Sequence, residues 1–178
     1  MDQYPLKWIT KSLAVGYAPR SEEDLRLIRA VGVKAIVNLC AECYDLNEVE
    51  SAFDFDVYYL PVVDEAAPTI EALAKLLDWM KQKINSGKRV LVHCRYGIGR
   101  TGTVVLCYLI HSGYDFKKAR AMMKATPSWP ANREQQELVD RFVARLSVAS
   151  VEGNLRNAKP KTAMKFFDRW IKFMKWHD

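Results

Sequence analysis

Cys94 is followed six positions later by Arg100, with Gly97 and Gly99 between them, in the run His93-Cys94-Arg95-Tyr96-Gly97-Ile98-Gly99-Arg100-Thr101-Gly102. A thiolate is a strong nucleophile, but a free cysteine with a pKa of ~8.5 is mostly protonated at neutral pH unless positive charge surrounds it. Gly97 and Gly99 allow the positive φ values that turn successive backbone amides inward around a tetrahedral anion. Arg100 would then cross the loop and grip two oxygens of that anion with its planar fork. Cys94 is therefore expected to be an in-line nucleophile for a phosphoryl group, cradled by Arg95, Tyr96, Gly97, Ile98, Gly99 and Arg100. Cys107, in the middle of an apolar run, reads equally well as a small buried hydrophobe.

Expelling an alkoxide or phenoxide from phosphorus needs a proton donor. The segment Asp64-Glu65-Ala66-Ala67-Pro68 supplies two carboxyl candidates, and an exposed loop carboxylate is the ordinary alternative for each. A chemistry of this kind requires no metal and no cofactor.

The elements that must position these groups follow from the pattern around them. Arg89-Val90-Leu91-Val92-His93 is short, β-branched and apolar, so it reads as a buried strand delivering Cys94, and residues 101–111 read as a buried helix. Strand, glycine loop and helix start together make an anion site, because the first turn of a helix has unpaired N–H groups and a positive dipole end. Further strands are expected at Val33 to Leu39 and Val57 to Leu60. Ser21, Thr69, Asp115 and Asn132 look like N-caps of helices, and a weaker helical stretch covers Asn47 to Phe53. Strands alternating with helices predict an α/β domain with a central, mostly parallel sheet of about four to five strands flanked by helices. Its binding crevice should lie beyond the carboxyl ends of the strands.

With 178 residues, 49% hydrophobic, the chain suits one globular domain, drawn at residues 1–149, with a linker at 150–160 and a basic amphipathic C-terminal helix at 161–178. Residues 155–178 hold seven basic and two acidic side chains, so they carry +5 of the overall +6. In that tail Phe166, Phe167, Trp170 and Met174 recur at helical spacing opposite Lys161, Lys165 and Lys172. The tail is expected to fold back on the domain, to self-associate, or to lie peripherally on an anionic membrane. The basic charge belongs to the tail rather than the body, and no nucleic-acid partner is expected. Four cysteines make no disulfide framework, no charged-then-apolar leader opens the sequence, and no apolar run reaches the roughly 20 residues that cross a bilayer. The expected setting is cytoplasmic.

The run His-Cys-x-x-Gly-x-Gly-Arg-Thr-Gly resembles the signature of the protein tyrosine and dual-specificity phosphatase superfamily. Over residues 8–146 the chain is similar to compact atypical dual-specificity phosphatases. The resemblance implies that Thr101 assists breakdown of a phosphocysteine and that His93 orders the loop. It also favours Asp64, thirty residues before Cys94, over Glu65 as general acid, and places Gln135 near the hydrolytic water. Low-molecular-weight phosphatases carry Cys-x5-Arg near the N-terminus with the acid downstream, unlike the order here. The implied substrates are protein phosphotyrosine and phosphoserine or phosphothreonine first. Phosphoinositide or phosphatidylglycerophosphate comes second, and RNA 5'-phosphate or a non-catalytic pseudophosphatase after that. Asn38-Leu39-Cys40-Ala41-Glu42 with Tyr44-Asp45 also resembles tensin-type phosphoinositide phosphatases, although Arg95 and Ile98 stand where those enzymes carry two lysines.

Cys40 follows one expected parallel strand and Cys94 another, so both sulfurs should emerge at one sheet edge. Two readings stand for this pair: inert cysteines, or a protective Cys40–Cys94 disulfide, with Cys43 as substitute, that traps an oxidised nucleophile reversibly.

Overall fold

A computed structural model of the protein describes residues 4–157. Five strands form one sheet: β1 (Lys7–Trp8), β2 (Leu13–Tyr17), β3 (Val33–Cys40), β4 (Asp56–Val62) and β5 (Arg89–Cys94), in the order β1-β2-β5-β3-β4. Only the short β1 runs antiparallel, against β2; the other three pairings are parallel. β3 and β5 are the central strands, and every residue after the first or second of each is buried. Parallel strands covered on both faces must be continuously apolar, which explains their Val, Ile and Leu content.

Among the described residues six helices accompany the sheet: α1 (Glu22–Ala30), α2 (Leu46–Ala52), α3 (Ile70–Asn85), α4 (Gly99–His111), α5 (Phe116–Met123) and α6 (Arg133–Asn157). The four expected caps hold. Ser21, Thr69, Asp115 and Asn132 each accept a hydrogen bond from the backbone N–H three residues on, at 3.2, 3.2, 2.8 and 3.0 Å. From Arg100 to Leu109 every residue of α4 is buried. A helix apolar on all sides can only be a core element, so the residues at its start are fixed against the sheet.

The chain divides into one compact unit of residues 1–142, which holds the whole sheet, and a second from residue 143 on. Residues 150–157, expected as linker, instead continue α6. Ala149, Glu152, Leu155 and Arg156 are good helix formers, and the single Gly153 costs only ~1 kcal/mol against alanine. The expected amphipathic helix at 161–178 lies outside the described residues. Among those described, no helix is long and apolar enough to cross a membrane.

The parallel registers decide where the chemistry sits. Tyr17 pairs with Cys94, and Gly16 and Asn38 both pair with His93. The loops that leave the carboxyl ends of β2, β3 and β5 therefore converge around Cys94.

Candidate active site

Cys94 ends β5 as a free thiol, 2% exposed. The next residues climb into α4, and Gly97 adopts φ +70°. A Cβ there would also stand 2.2 Å from the Gly16 carbonyl oxygen, so the loop follows this path only with glycine. Two hydroxyls hold its backbone. Ser128 Oγ donates to the Gly97 carbonyl at 2.5 Å, and Thr103 Oγ1 donates to the Gly99 carbonyl at 2.9 Å. At Gly102 a Cβ would lie 2.3 to 2.6 Å from three backbone atoms of Trp129. Backbone cannot rotate aside, so Gly102→Ala is expected to destabilise the fold by ~3 kcal/mol, read as a lowered urea unfolding midpoint.

Arg100 is 2% exposed and reaches four acceptor atoms on three residues. Its Nη1 and Nη2 donate to the two Glu42 carboxylate oxygens at 2.8 and 2.7 Å, Nη1 also donates to the Val62 carbonyl at 2.7 Å, and Nη2 lies 2.8 Å from Asp64 Oδ1. Hydrogen bonds from Arg100 hold the Glu42 carboxyl below the usual carboxylate range. Burial desolvates the Arg100 guanidinium, but the hydrogen bond to Glu42 and the electrostatic pull of Cys94, Glu42 and Asp64 together outweigh that and hold its pKa above the ordinary arginine value. The fork thus joins the thiol end of β5 to the loop after β3 and the loop after β4. Glu42 was not legible as a site residue from the sequence; a carboxylate two positions past a buried strand, at the edge where Cys94 emerges, is the signal that could have found it.

Asp64 is half exposed, as a side chain 58% accessible, and its Oδ1 also accepts from the Glu65 N–H at 3.1 Å. Glu65 takes φ +66°. Three hydrogen bonds tie this 64–67 loop to the start of α6. Asn132 Nδ2 donates to the Glu65 carbonyl at 2.5 Å, Gln135 Nε2 donates to the Ala66 carbonyl at 3.2 Å, and the Ala67 N–H donates to Glu134 Oε1 at 3.1 Å. Gln135 is 1% exposed, and its Oε1 accepts from the Ala131 N–H at 2.8 Å. A Cβ at Gly99 would meet that same oxygen at 2.7 Å. The structure therefore brings Gln135 against the 94–100 loop with both ends of its amide engaged.

His93 and Thr101 are fully buried. His93 Nε2 lies 2.7 Å from Glu50 Oε1, the other Glu50 oxygen accepts from Asn38 Nδ2 at 3.1 Å, and Asn38 Oδ1 accepts from the Cys40 N–H at 2.9 Å. Glu50 is fully buried as well. A buried carboxylate persists only when its oxygens are bonded, so this chain of groups locks β5 to β3 and α2 beneath the nucleophile. Thr101 Oγ1 has no hydrogen-bond partner among the described residues. It is a hydroxyl at the loop with its proton uncommitted.

The Cys40–Cys94 disulfide is not formed, and neither is its Cys43 substitute. Cys40 is bonded to Cys43, with their Cα atoms 5.3 Å apart, while Cys94 and Cys107 are free. A turn directly after β3 brings two sulfurs three residues apart together at little cost in chain entropy, and Glu42 lies inside that closed turn. Burial pushes the Cys107 thiol up to about 12, as suits an inert core cysteine. Among the described residues no three His, Cys, Asp or Glu side chains cluster to hold a metal ion.

Comparison with known proteins agrees with this architecture. The chain is 37% identical over 108 residues to dual specificity protein phosphatase 2 of Homo sapiens, covering 54% of this chain and 32% of that protein. It thus spans about a third of the length of that relative. It is also 28% identical over 157 residues to phosphatidylglycerophosphate phosphatase PTPMT2 of Arabidopsis thaliana, covering 82% of this chain and 68% of that one. The crystal structure of Tk-PTP in the active form aligns with a TM-score of 0.70 at 30% identity, over 79% of this chain and 97% of that one. Residues 4–153 match the family described as PTP-SAK, Swiss Army Knife protein, DSP-PTPase phosphatase domain. The chain belongs to that family of dual-specificity and protein-tyrosine-phosphatase-type phosphatase domains.

Proposed function

We propose that the protein hydrolyses phosphomonoesters through a phosphocysteine, with phosphorylated tyrosine, serine and threonine of proteins as its substrates. The observation that carries this reading is the placement of the free Cys94 thiol, the buried Arg100 fork and Asp64 around one glycine-bearing loop, with Arg100 and Asp64 2.8 Å apart. In the first step Cys94 Sγ, as thiolate, attacks phosphorus in line. The S–P bond forms, the ester P–O bond breaks, and Asp64 gives its proton to the leaving oxygen. The loop amides and Arg100 hold the three non-bridging oxygens as charge spreads over them. In the second step Asp64, now ionised, takes a proton from water as that water attacks phosphorus. The S–P bond breaks, inorganic phosphate leaves, and the uncommitted Thr101 hydroxyl donates to the departing sulfur.

Partner groups such as Glu42 shape this site without reacting. Glu42 is a positioning residue that receives both Nη groups of Arg100, and Gln135 positions the acid loop against the nucleophile loop. Acid quenching during turnover of a small aryl phosphate tests the scheme. The expected result is a Cys94-containing peptide heavier by one phosphoryl group; turnover without that adduct would overturn the intermediate.

A second reading is a lipid phosphatase, favoured by the Arabidopsis relative, which is named a phosphatidylglycerophosphate phosphatase and covers 82% of this chain. Parallel assays on phosphopeptides, phosphoinositides and phosphatidylglycerophosphate separate the two: a specificity constant higher for the lipids would replace the protein reading.

A further inference from the structure

Between α5 and the loop ahead of α6 lies a groove of about 480 Å³, its walls including Lys117, Arg120, Met123, Lys124, Thr126 and Trp129. None of these side chains belongs to the constellation around Cys94. Lys117, Arg120 and Lys124 recur at i, i+3 and i+7, which puts them on one face of a helix. Lys124 caps α5 but keeps helical dihedrals, φ −57° and ψ −29°, so that face continues through it. The opposite wall is fixed as well. Thr126 Oγ1 donates to the Met123 carbonyl at 2.9 Å and accepts from the Ser128 N–H at 3.3 Å, and the Trp129 backbone lies against Gly102. The groove is therefore formed before any ligand arrives.

Its charge is unbalanced. Elsewhere Arg26, Arg29, Lys83, Lys88 and Arg133 each have a carboxylate oxygen at 2.5 to 2.8 Å. Lys117, Arg120 and Lys124 have no carboxylate partner among the described residues; Arg120 rests on the Trp129 ring, 5.6 Å from its centroid. No acid stands between Asp115 and Glu134, and those two are engaged. Asp115 Oδ1 accepts from the Lys118 N–H at 2.8 Å, and Glu134 Oε1 from the Ala67 N–H at 3.1 Å. The negative end of the α5 dipole favours cations in the last turn but does not reach back to Lys117. Like charges on one helix face repel, so three of them converging on one cavity suit a ligand that brings several negative charges.

We infer that this groove docks an acidic segment of a protein substrate, remote in sequence from the scissile phosphate. The docking is independent of the phosphatase reading, and the word substrate rests on that reading. Length and charge both favour a peptide. Lys117 to Lys124 spans ~10 Å along the helix, which about three residues of extended chain cover at ~3.3 Å each, so acids at every third position would meet the cations. Met123 and Trp129 supply the adaptable and flat apolar surface that a peptide covers. Residues 116–132 carry +4 while residues 1–154 as a whole carry +1, so the rest of that stretch is net acidic. A membrane or an RNA strand would meet that acidic surround together with the groove; a short segment does not.

The test is fluorescence anisotropy at low salt with the full chain and a dye-labelled extended peptide bearing glutamate at every third position, against its glutamine counterpart. The glutamate peptide is expected to bind roughly tenfold tighter, an advantage that salt screens. Lys117→Gln with Lys124→Gln should bring the two peptides to within about twofold of each other, while Lys117→Arg with Lys124→Arg keeps the preference, which separates lost charge from misfolding. Because residues 155–178 carry +5, Lys161→Gln with Lys165→Gln is the control and should leave the ratio in place. Equal binding of the two peptides, a ratio that survives the change at 117 and 124, or one lost in the tail control overturns the inference. Phosphatidylserine vesicles or single-stranded oligouridylate bound through Lys117 and Lys124, without any peptide preference, overturn the peptide assignment. Turnover of 4-nitrophenyl phosphate is measured separately. If that fails while the glutamate preference stands, the phosphatase reading falls and the groove does not.

Discussion

Cys94→Ser is expected to lower turnover of a small aryl phosphate by on the order of 10⁴–10⁶-fold, the scale on which loss of an enzyme nucleophile is felt. The size follows from the chemistry. A serine hydroxyl with no base within reach stays protonated at neutral pH, whereas a thiol gives an intrinsically strong nucleophile once ionised. Nothing in the packing compensates. Serine differs from cysteine by one atom, the site is 2% exposed, and the loop is held by Gly97, Ser128 and Thr103 rather than by the sulfur. The variant should therefore keep its melting temperature within a few degrees while losing activity. Wild-type-like activity in Cys94→Ser would refute the assignment.

Arg100→Lys carries the second large effect, a loss of on the order of 10³–10⁵-fold in kcat. Charge alone is not what the site uses. Arg100 donates simultaneously to both oxygens of Glu42 and to the Val62 carbonyl, and reaches Asp64 at 2.8 Å, a pattern that a compact ammonium on a flexible stem cannot reproduce. With lysine the phosphate loses its bidentate grip and Glu42 loses the donors that fix it. Stability should fall too, with a defined pH dependence. Arg100 depresses the Glu42 pKa, so the pair's contribution is present above the unfolded carboxyl value of about 4.3 and is lost as pH falls through the lower folded value. The melting temperatures of wild type and Arg100→Lys are expected to differ at neutral pH and to converge in acid. A constant gap across that range would mean that Glu42 is not what the fork stabilises.

The sequence was most legible where one local rule governs. Continuous apolar runs identified β3 and β5, side-chain caps identified the starts of α1, α3, α5 and α6, and the loop from Cys94 to Arg100 announced its chemistry because glycines, thiol and guanidinium occur together. It was least legible where the determinant is a pairing between distant segments. β1 and β2 were missed because two-residue and five-residue strands carry little periodicity of their own. Glu50 and Ser128 look like ordinary polar residues in the chain and become informative only when α2 and the loop before α6 meet β5 and the loop that follows it. The partner of Cys40 is hidden for the same reason. A common sheet edge brings Cys40 and Cys94 into one neighbourhood, but the tight turn after β3 gives Cys40 a nearer partner in Cys43.

The three hydrogen bonds from the start of α6 to Glu65, Ala66 and Ala67 carry a consequence for motion. In many enzymes a catalytic loop is ordered anew at each encounter, and that ordering can limit turnover. Here the segment that bears Asp64 is tied to a helix end before any ligand arrives, so its conformational entropy is lost once, during folding. The acid waits at its station, and what must still move when a phosphate enters is the grip of one arginine rather than a length of chain.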